Sequence, residues 1–249
     1  MTIALLTDFG TRDPYVAAMK GVIASMTAAP MVDLSHDIAP FDVWEAAWFL
    51  RAIARYWTAP AIFVCVVDPG VGSSRRIVAV QRDASIFLAP DNGLLTFVDG
   101  IAHAVTNEAL FLPNGSTTFH GRDRFAPVAA ALANGLSIEQ LGPRIDDRLP
   151  LDYTPPRYDH DMVSGRVIGV DRFGNVITDV EAARIPFAPF SAMIGNVVVD
   201  RVETSYQGHE PFFVVGSSGT LELSVAGGSA ATLLQLSRGD WLTLIHKRT

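Results

Sequence analysis

An acid, a guanidinium and an imidazole stand where buried strands end or a helix opens: Asp68 and Arg75 in VCVVDPGVGSSRR, and His120 in TFHGRDRFAP. A third stretch of the same character, LLTDFGTRDPY, carries Asp8 and Asp13. Brought together at strand ends, such groups bind water and take its proton, which points to hydrolytic chemistry on a small polar ligand. Each residue taken alone also has an ordinary structural reading. A carboxylate caps a helix or closes a turn, Arg75 beside Arg76 is a solvated pair, and His120 before Gly121 donates to a loop carbonyl. The chemical reading requires the three groups to meet in space.

The elements that must position them follow from periodicity. In the first half, short apolar runs (TIALLTDF, MVDLSH, AIFVCVV) alternate with helical patterns (DPYVAAMKGVIASMT, FDVWEAAWFLRAIARYW). That alternation predicts an α/β fold, a mostly parallel sheet flanked by helices. RIVAVQ and SIFLAPDNG are further strands, and GRDRFAPVAAALANG is a helix opening just after His120. Pro14 suits the first turn of the first helix, with Asp13 near its N-cap. Loops after parallel strands converge at the carboxyl edge of the sheet, so Asp8, Asp68, Asn92 and His120 are expected there. Pro69 to Ser74 form a glycine-rich turn able to bring N–H groups near a ligand, yet without the lysine and spacing of a nucleotide P-loop or a dinucleotide GxGxxG.

Residues 149–161, LPLDYTPPRYDHD, carry three prolines and no consistent period, which marks a linker. The expected organisation is an α/β catalytic domain over 1–155 and a smaller all-β barrel domain over 156–249. Beyond the linker the chain turns to short β-branched runs at close spacing, such as SGRVIGVDRF, GNVITDV and NVVVDRVETSY.

A chain of 249 residues that is 49% hydrophobic can bury a real core. The net charge of -7, with no basic run beyond Arg75-Arg76 and His246-Lys247-Arg248, argues against a nucleic-acid partner. The start has no basic region ahead of its apolar run, and no apolar window reaches the ~20 residues a membrane span needs, so a cytoplasmic protein with no membrane partner is expected. The single cysteine, Cys65, sits in AIFVCVV and reads as core; it excludes a disulfide framework and a cysteine metal site.

A second constellation, VDRFGNVITD, sets Asp171, Phe173 and Asn175 around Gly174. Phe and Asn flanking a turn glycine offer a flat apolar face and an amide suited to a purine edge. A β-turn with Asn tolerating the left-handed region is the equal alternative. Trp44 and Trp48 on the second helix read as core, whereas Phe41, in the loop HDIAPFDV, is kept as a ligand contact.

Taken together, TDFGTRDPYVAAMKG, VDPGVGSSRR, LAPDNGLLT, TFHGRDRFAPVAA and DRFGNVITD, in this order, resemble the S-adenosyl-L-methionine (SAM) hydroxide adenosyltransferase family, the adenosine-forming SAM hydrolases. Fluorinases and chlorinases are its halide-using relatives. The resemblance covers residues 1 to about 180 and continues more faintly to the C-terminus. It implies an N-terminal α/β domain and a C-terminal β-barrel, a homotrimer with active sites between subunits, and conversion of SAM and water to adenosine and L-methionine. No cofactor or metal is implied, SAM being the substrate. By motif, the water-activating set falls on Asp68, Arg75 and His120. Asp8 matches the carboxylate gripping the ribose hydroxyls, Asp13 and Asp171 match groups near the methionine amine, and Phe173 and Asn175 line the adenosine side. Phe41 stands where the fluorinase has a ribose-contacting tryptophan, and Ser217 joins the substrate-binding set. Two departures occur in VVGSSGTLELSVAGGSAA: Ser218 replaces the arginine that holds the methionine carboxylate in the fluorinase, and Ala226 replaces an asparagine beside the adenine.

The implied reaction agrees with the residues. A sulfonium leaves as a neutral thioether, so neither an acid nor a metal is needed to expel it, and the demand falls on the nucleophile. Water must lose a proton while held ~3 to 3.5 Å from the 5'-carbon, opposite sulfur. Asp68 or His120 can take the proton and Arg75 can stabilise developing hydroxide. A halide-using enzyme is the alternative within the family, disfavoured because a carboxylate at 68 repels a halide. A metal-dependent phosphoesterase built on Asp8, Asp68, Asn92 and His120 is disfavoured by the lack of an HxH or DxD pair. A silent adenosine- or SAM-binding module would not need Asp68, Arg75 and His120 together.

Overall fold

The computed structural model describes residues 1–207 and 210–247. The chain divides into two compact units, Met1–Asp152 and Tyr153–Thr249.

The first unit runs β1 (Thr2–Thr7), α1 (Tyr15–Met26), β2 (Met31–Ser35), α2 (Val43–Ala54), β3 (Ala61–Val66), β4 (Ile77–Arg82), β5 (Ser85–Pro90), β6 (Ile101–Ala104), α3 (Ala126–Ala133) and β7 (Arg144–Ile145). Its sheet has the order β2-β1-β3-β5-β4-β6-β7. From β2 to β5 the neighbours are parallel. From β5 through β4 and β6 to β7 they are antiparallel. The sheet is therefore mixed, and the reason is the connection: only Asp83 and Ala84 separate β4 from β5, with Asp83 at φ 55. A two-residue link can only reverse the chain, whereas a parallel return needs a crossover such as α1 or α2.

Residues of β3 alternate between two cores. Ile62, Val64 and Val66 pack with Met19 and Ile23 of α1 and with Val128, Ala129 and Leu132 of α3. Ala61, Phe63 and Cys65 pack on the other face with Ala46, Leu50 and Ala54 of α2. A strand covered by helices on both faces has no solvent side, which is why AIFVCVV is a continuous apolar run. Cys65 lies in this core, and burial pushes its thiol pKa up. Asp42 caps α2, accepting from Glu45 N at 2.9 Å. At α1 the cap position is taken by Pro14 with no side-chain hydrogen bond, and Asp13 is exposed rather than capping. Proline supplies the helical φ itself and leaves Asp13 one residue too early to reach the open N–H groups.

Because β1, β3 and β5 are parallel, Asp8, Asp68 and Asn92 emerge at one edge of the sheet. His120 precedes a wide π-helical turn, Gly121–Phe125, in which Ala126 N donates to Gly121 O before α3 begins.

The second unit contains β8 (Arg157–Tyr158), β9 (Met162–Val170), β10 (Val176–Glu181), β11 (Phe190–Ile194), β12 (Val197–Val199), β13 (Phe212–Val215), β14 (Thr220–Ser224), α4 (Ala230–Leu234) and β15 (Trp241–His246). The strands are ordered β12-β11-β15-β9-β10-β14-β13, with β8 beside β9. Among the described residues every pair of these strands is antiparallel, and the bridge Val202–Phe213 at the closing edge is parallel. Past β12, Phe213 N donates to Arg201 O and Glu203 N to Phe213 O, both at 2.8 Å, so the sheet nearly closes into a barrel. Alternate residues (Val163 and Val167, Val176 and Val180, Leu221 and Leu223, Leu242 and Leu244) fill the interior. No helix among the described residues is long and apolar enough to cross a membrane.

One carboxylate in this unit works against stability at neutral pH. Asp179 on β10 is 1% exposed. Its Oδ1 accepts from Arg166 N at 2.8 Å. Burial raises its pKa to about 6, with the Arg166 backbone hydrogen bond offsetting only part of the effect. The folded state then binds this proton more tightly than the unfolded chain, so stability present at low pH is lost as pH rises from about 4 through about 6. Asp179→Asn keeps the acceptor and removes the charge. Its stability relative to the parent is expected to rise by ~1 to 3 kcal/mol between pH 4 and pH 7 in denaturant titrations; a difference independent of pH would show that Asp179 titrates normally.

Candidate active site

Arg75 joins the three groups that the sequence singles out. Its Nε donates to Asp68 Oδ1 at 3.0 Å, its Nη2 donates to Asp68 Oδ2, and the same Nη2 lies 2.8 Å from His120 Nδ1. The Arg75 and Asp68 side chains are 9% and 5% exposed. His120 is 2% exposed. The glycine-rich turn makes this meeting possible by folding the chain back, with Val71 N on Asp68 O and Ser73 N on Gly70 O. Gly72 has φ +81, and a Cβ there would lie 2.7 Å from Thr117 O. Only glycine lets this turn dock on the segment that leads into His120.

The guanidinium has no acceptor, so His120 Nδ1 must accept and the neutral ring carries its proton on Nε2. Burial lowers the His120 pKa to about 4, Arg124 and Arg75 add to the effect, and Asp68 and Asp123 oppose it. His120 is therefore a neutral N–H donor at pH 7. Its Nε2 and Arg75 Nη1 are both buried without a hydrogen-bond partner among the described residues. Two such donors carry a desolvation cost that a purely structural pair would not retain. His120 and Asp68 line a cavity of about 390 Å³. Its wall includes Phe9, Tyr15 and Phe119, whose rings contact one another at centroid distances of 5.2 to 6.0 Å. These aromatics were not singled out from sequence.

The surrounding charges hold the loops. Asp123 accepts from Arg122 Nε at 2.6 Å and from Ser116 N at 2.7 Å, fixing the loop beside the cavity. The Arg122 hydrogen bond lowers the pKa of Asp123 against the effect of burial. Arg76 is not a solvated partner of Arg75: it binds Asp91 at 2.6 Å and Asp147 at 2.8 Å. Asn92 donates to Val67 O and accepts from Leu94 N, so its amide is spent on the strand ends. Asp8 Oδ2 accepts from Phe41 N at 2.8 Å, bringing two sequence-selected residues together. Phe41 is 70% exposed and adopts φ 67. Asp13 lies outside the cavity lining.

The second unit holds its own cavity, about 630 Å³, lined by Asp171, Phe173, Asn175, Ser217, Tyr206 and Glu222 and by the Val225–Gly228 turn, which includes Ala226. Asp171 organises the β9–β10 turn: Oδ1 accepts from Phe173 N and Asn175 N, and Oδ2 from the Asn175 amide. Phe173 is left 78% exposed. Ser218 Oγ pairs with Thr220 Oγ1 at 2.9 Å. Tyr206 and Glu222 were not legible in the sequence. In TLELS, Glu222 alternates with core leucines, and it is 6% exposed.

These features define an α/β protein with a buried acid, guanidinium and imidazole cluster at a sheet edge, followed by a barrel-like β unit with an aromatic and amide pocket. Family models described as the SAM hydroxide adenosyltransferase N-terminal and C-terminal domains match residues 3–142 and 165–243. The chain belongs to the SAM hydroxide adenosyltransferase family. It is 39% identical to a protein of Thermus thermophilus named (R)-S-adenosyl-L-methionine hydrolase, over 95% of this chain and 96% of that one. A crystal structure of a conserved protein from Thermotoga maritima superposes with a TM-score of 0.90 at 33% identity, covering 98% of this chain and all of that one. A fluorinase from Actinopolyspora mzabensis is more distant, 27% identical over 95% of this chain and 94% of its own length.

NMR of the His120 ring checks its tautomer and protonation. The His120 ring is expected to stay neutral, protonated on Nε2, down to about pH 4, and Arg75→Ala is expected to move its titration upward. Titration of wild-type His120 near 6.5 would contradict the assigned geometry.

Proposed function

We propose that this chain hydrolyses SAM to adenosine and L-methionine by attack of activated water on the 5'-carbon. The observation that carries the reading is the meeting of Asp68, Arg75 and His120 at one buried point, with two unpartnered donors, in a chain of this family. Because Arg75 makes His120 Nδ1 an acceptor, the imidazole offers its Nε2–H to the water oxygen rather than taking its proton. Arg75 Nη1 is the second donor, and both stabilise hydroxide character as it develops. Asp68 is then the base, as the carboxylate among the residues lining this cavity. The proton passes from water to Asp68, the new C5'–O bond forms, and the C5'–S electron pair leaves with methionine as a neutral thioether.

The remaining assignments belong to the same reading. Asp8 and Phe41 take the ribose, Phe173 and Asn175 the adenine side, and Asp13, Asp171 and Ser217 the amino-acid end. A homotrimer with sites shared between subunits, a cytoplasmic location and independence from any metal or cofactor complete it. Leaving-group chemistry supports the last point. The engaged amide of Asn92 weakens the phosphoesterase alternative. The carboxylate at 68, together with the greater distance of the fluorinase, favours water over halide.

The test is incubation with SAM in ¹⁸O-water after chelation, with mass spectrometry of adenosine. Label is expected in the 5'-hydroxyl. Asp68→Asn is expected to lower kcat ~10² to 10⁴-fold and His120→Ala ~10² to 10³-fold. Binding of SAM without turnover would overturn hydrolysis and leave a binding module.

A further inference from the structure

The cavity of the second unit has a charge pattern that its assigned residues do not explain. Its charged lining residues are Asp171 and Glu222, and no Lys, Arg or His lines it among the described residues. Asp171 is largely used by the turn, since Oδ1 already accepts two backbone N–H groups and Oδ2 the Asn175 amide. Glu222 is freer. Its Oε2 accepts from the Tyr206 hydroxyl at 2.7 Å. Its Oε1 lies over Gly216, where any side chain would collide with it. Leu221 and Leu223 face the barrel core, which sends Glu222 to the opposite face of β14 and into the cavity.

A carboxylate this buried, with a neutral hydroxyl as partner, is matched by a cation. Burial raises the Glu222 pKa, Tyr206 offsets part of this and Asp171 adds to it, while the Tyr206 hydroxyl is pushed up to about 12, first by burial and then by Glu222. SAM has two cationic centres. A sulfonium has no hydrogen to donate, whereas an α-ammonium has three N–H donors, the groups a fixed carboxylate accepts. We propose that Glu222, oriented by Tyr206, accepts the α-ammonium group of the substrate's amino-acid end and makes the site select for substrates that bear it. The inference rests on the SAM hydrolase reading and adds a residue that the family motifs did not supply.

Steady-state kinetics with SAM and its deamino analogue, on the wild type, Glu222→Gln and Tyr206→Phe, decide it. Glu222→Gln is expected to raise KM for SAM about 10- to 100-fold with kcat changed far less, and to leave kcat/KM for the deamino analogue at the wild-type value. Tyr206→Phe, which keeps the carboxylate but frees it, is expected to give a smaller shift in the same direction. Equal losses on both substrates would mark Glu222 as structural, and no loss on SAM would leave the amine to Asp171; either overturns the proposal. If the wild type turns over neither substrate, the hydrolase reading fails and calorimetry with L-methionine and 4-(methylthio)butanoate tests the subsite alone. Weaker methionine binding only in Glu222→Gln upholds it, and equal binding overturns it.

Discussion

The Arg75 guanidinium is the interaction on which the first unit's site depends. One planar group with fixed donors neutralises a buried carboxylate through two parallel hydrogen bonds and, through a shared nitrogen, sets the tautomer of a buried imidazole. A lysine could balance the charge but could not form both bonds and the third contact in one plane. Removing the guanidinium would strand Asp68 out of water, a change that typically costs ~3 to 5 kcal/mol. The turn from Asp68 to Arg75, the absence of a side chain at Gly72 and the docking of that turn on Thr117 all serve this geometry.

The two cavities are built with opposite polarity. In the first, His120 and Arg75 hold buried donors without a partner among the described residues, next to the Asp68 carboxylate, an arrangement suited to an oxygen that gains negative charge as it loses a proton. The second presents carboxylate, aromatic and amide groups, which suit a cation joined to a flat heterocycle. In the proposed reaction the oxygen belongs to the attacking water, and the cation and heterocycle belong to SAM, whose sulfonium departs without help. The electrostatic work of the protein is therefore directed to the nucleophile and to holding the substrate.

Much of this was legible in the sequence because it rests on local rules. Continuous apolar runs gave the buried strands, and the position of Asp8 and Asp68 at their ends, with His120 at the opening of a helix, pointed to the site edge. What escaped was partly local and partly long-range. The mixed character of the sheet came from the missing crossover between β4 and β5. The cavity aromatics Phe9, Tyr15 and Phe119 come from segments about a hundred residues apart in the chain. Asp13 read as a cap, yet Pro14 occupies that place.

Residue order by itself determined the two-part architecture, the family and the candidate acid, guanidinium and imidazole, since strand period, turn composition and motif spacing are properties of neighbouring residues. Tertiary structure alone decided that Arg75 bonds both Asp68 and His120, which nitrogen of His120 carries the proton, and that Glu222 is buried beside Tyr206 rather than solvated. Those are matters of distance and desolvation between segments remote in sequence. A strand pattern states which face a side chain takes, but only the packed chain determines whether that face meets water.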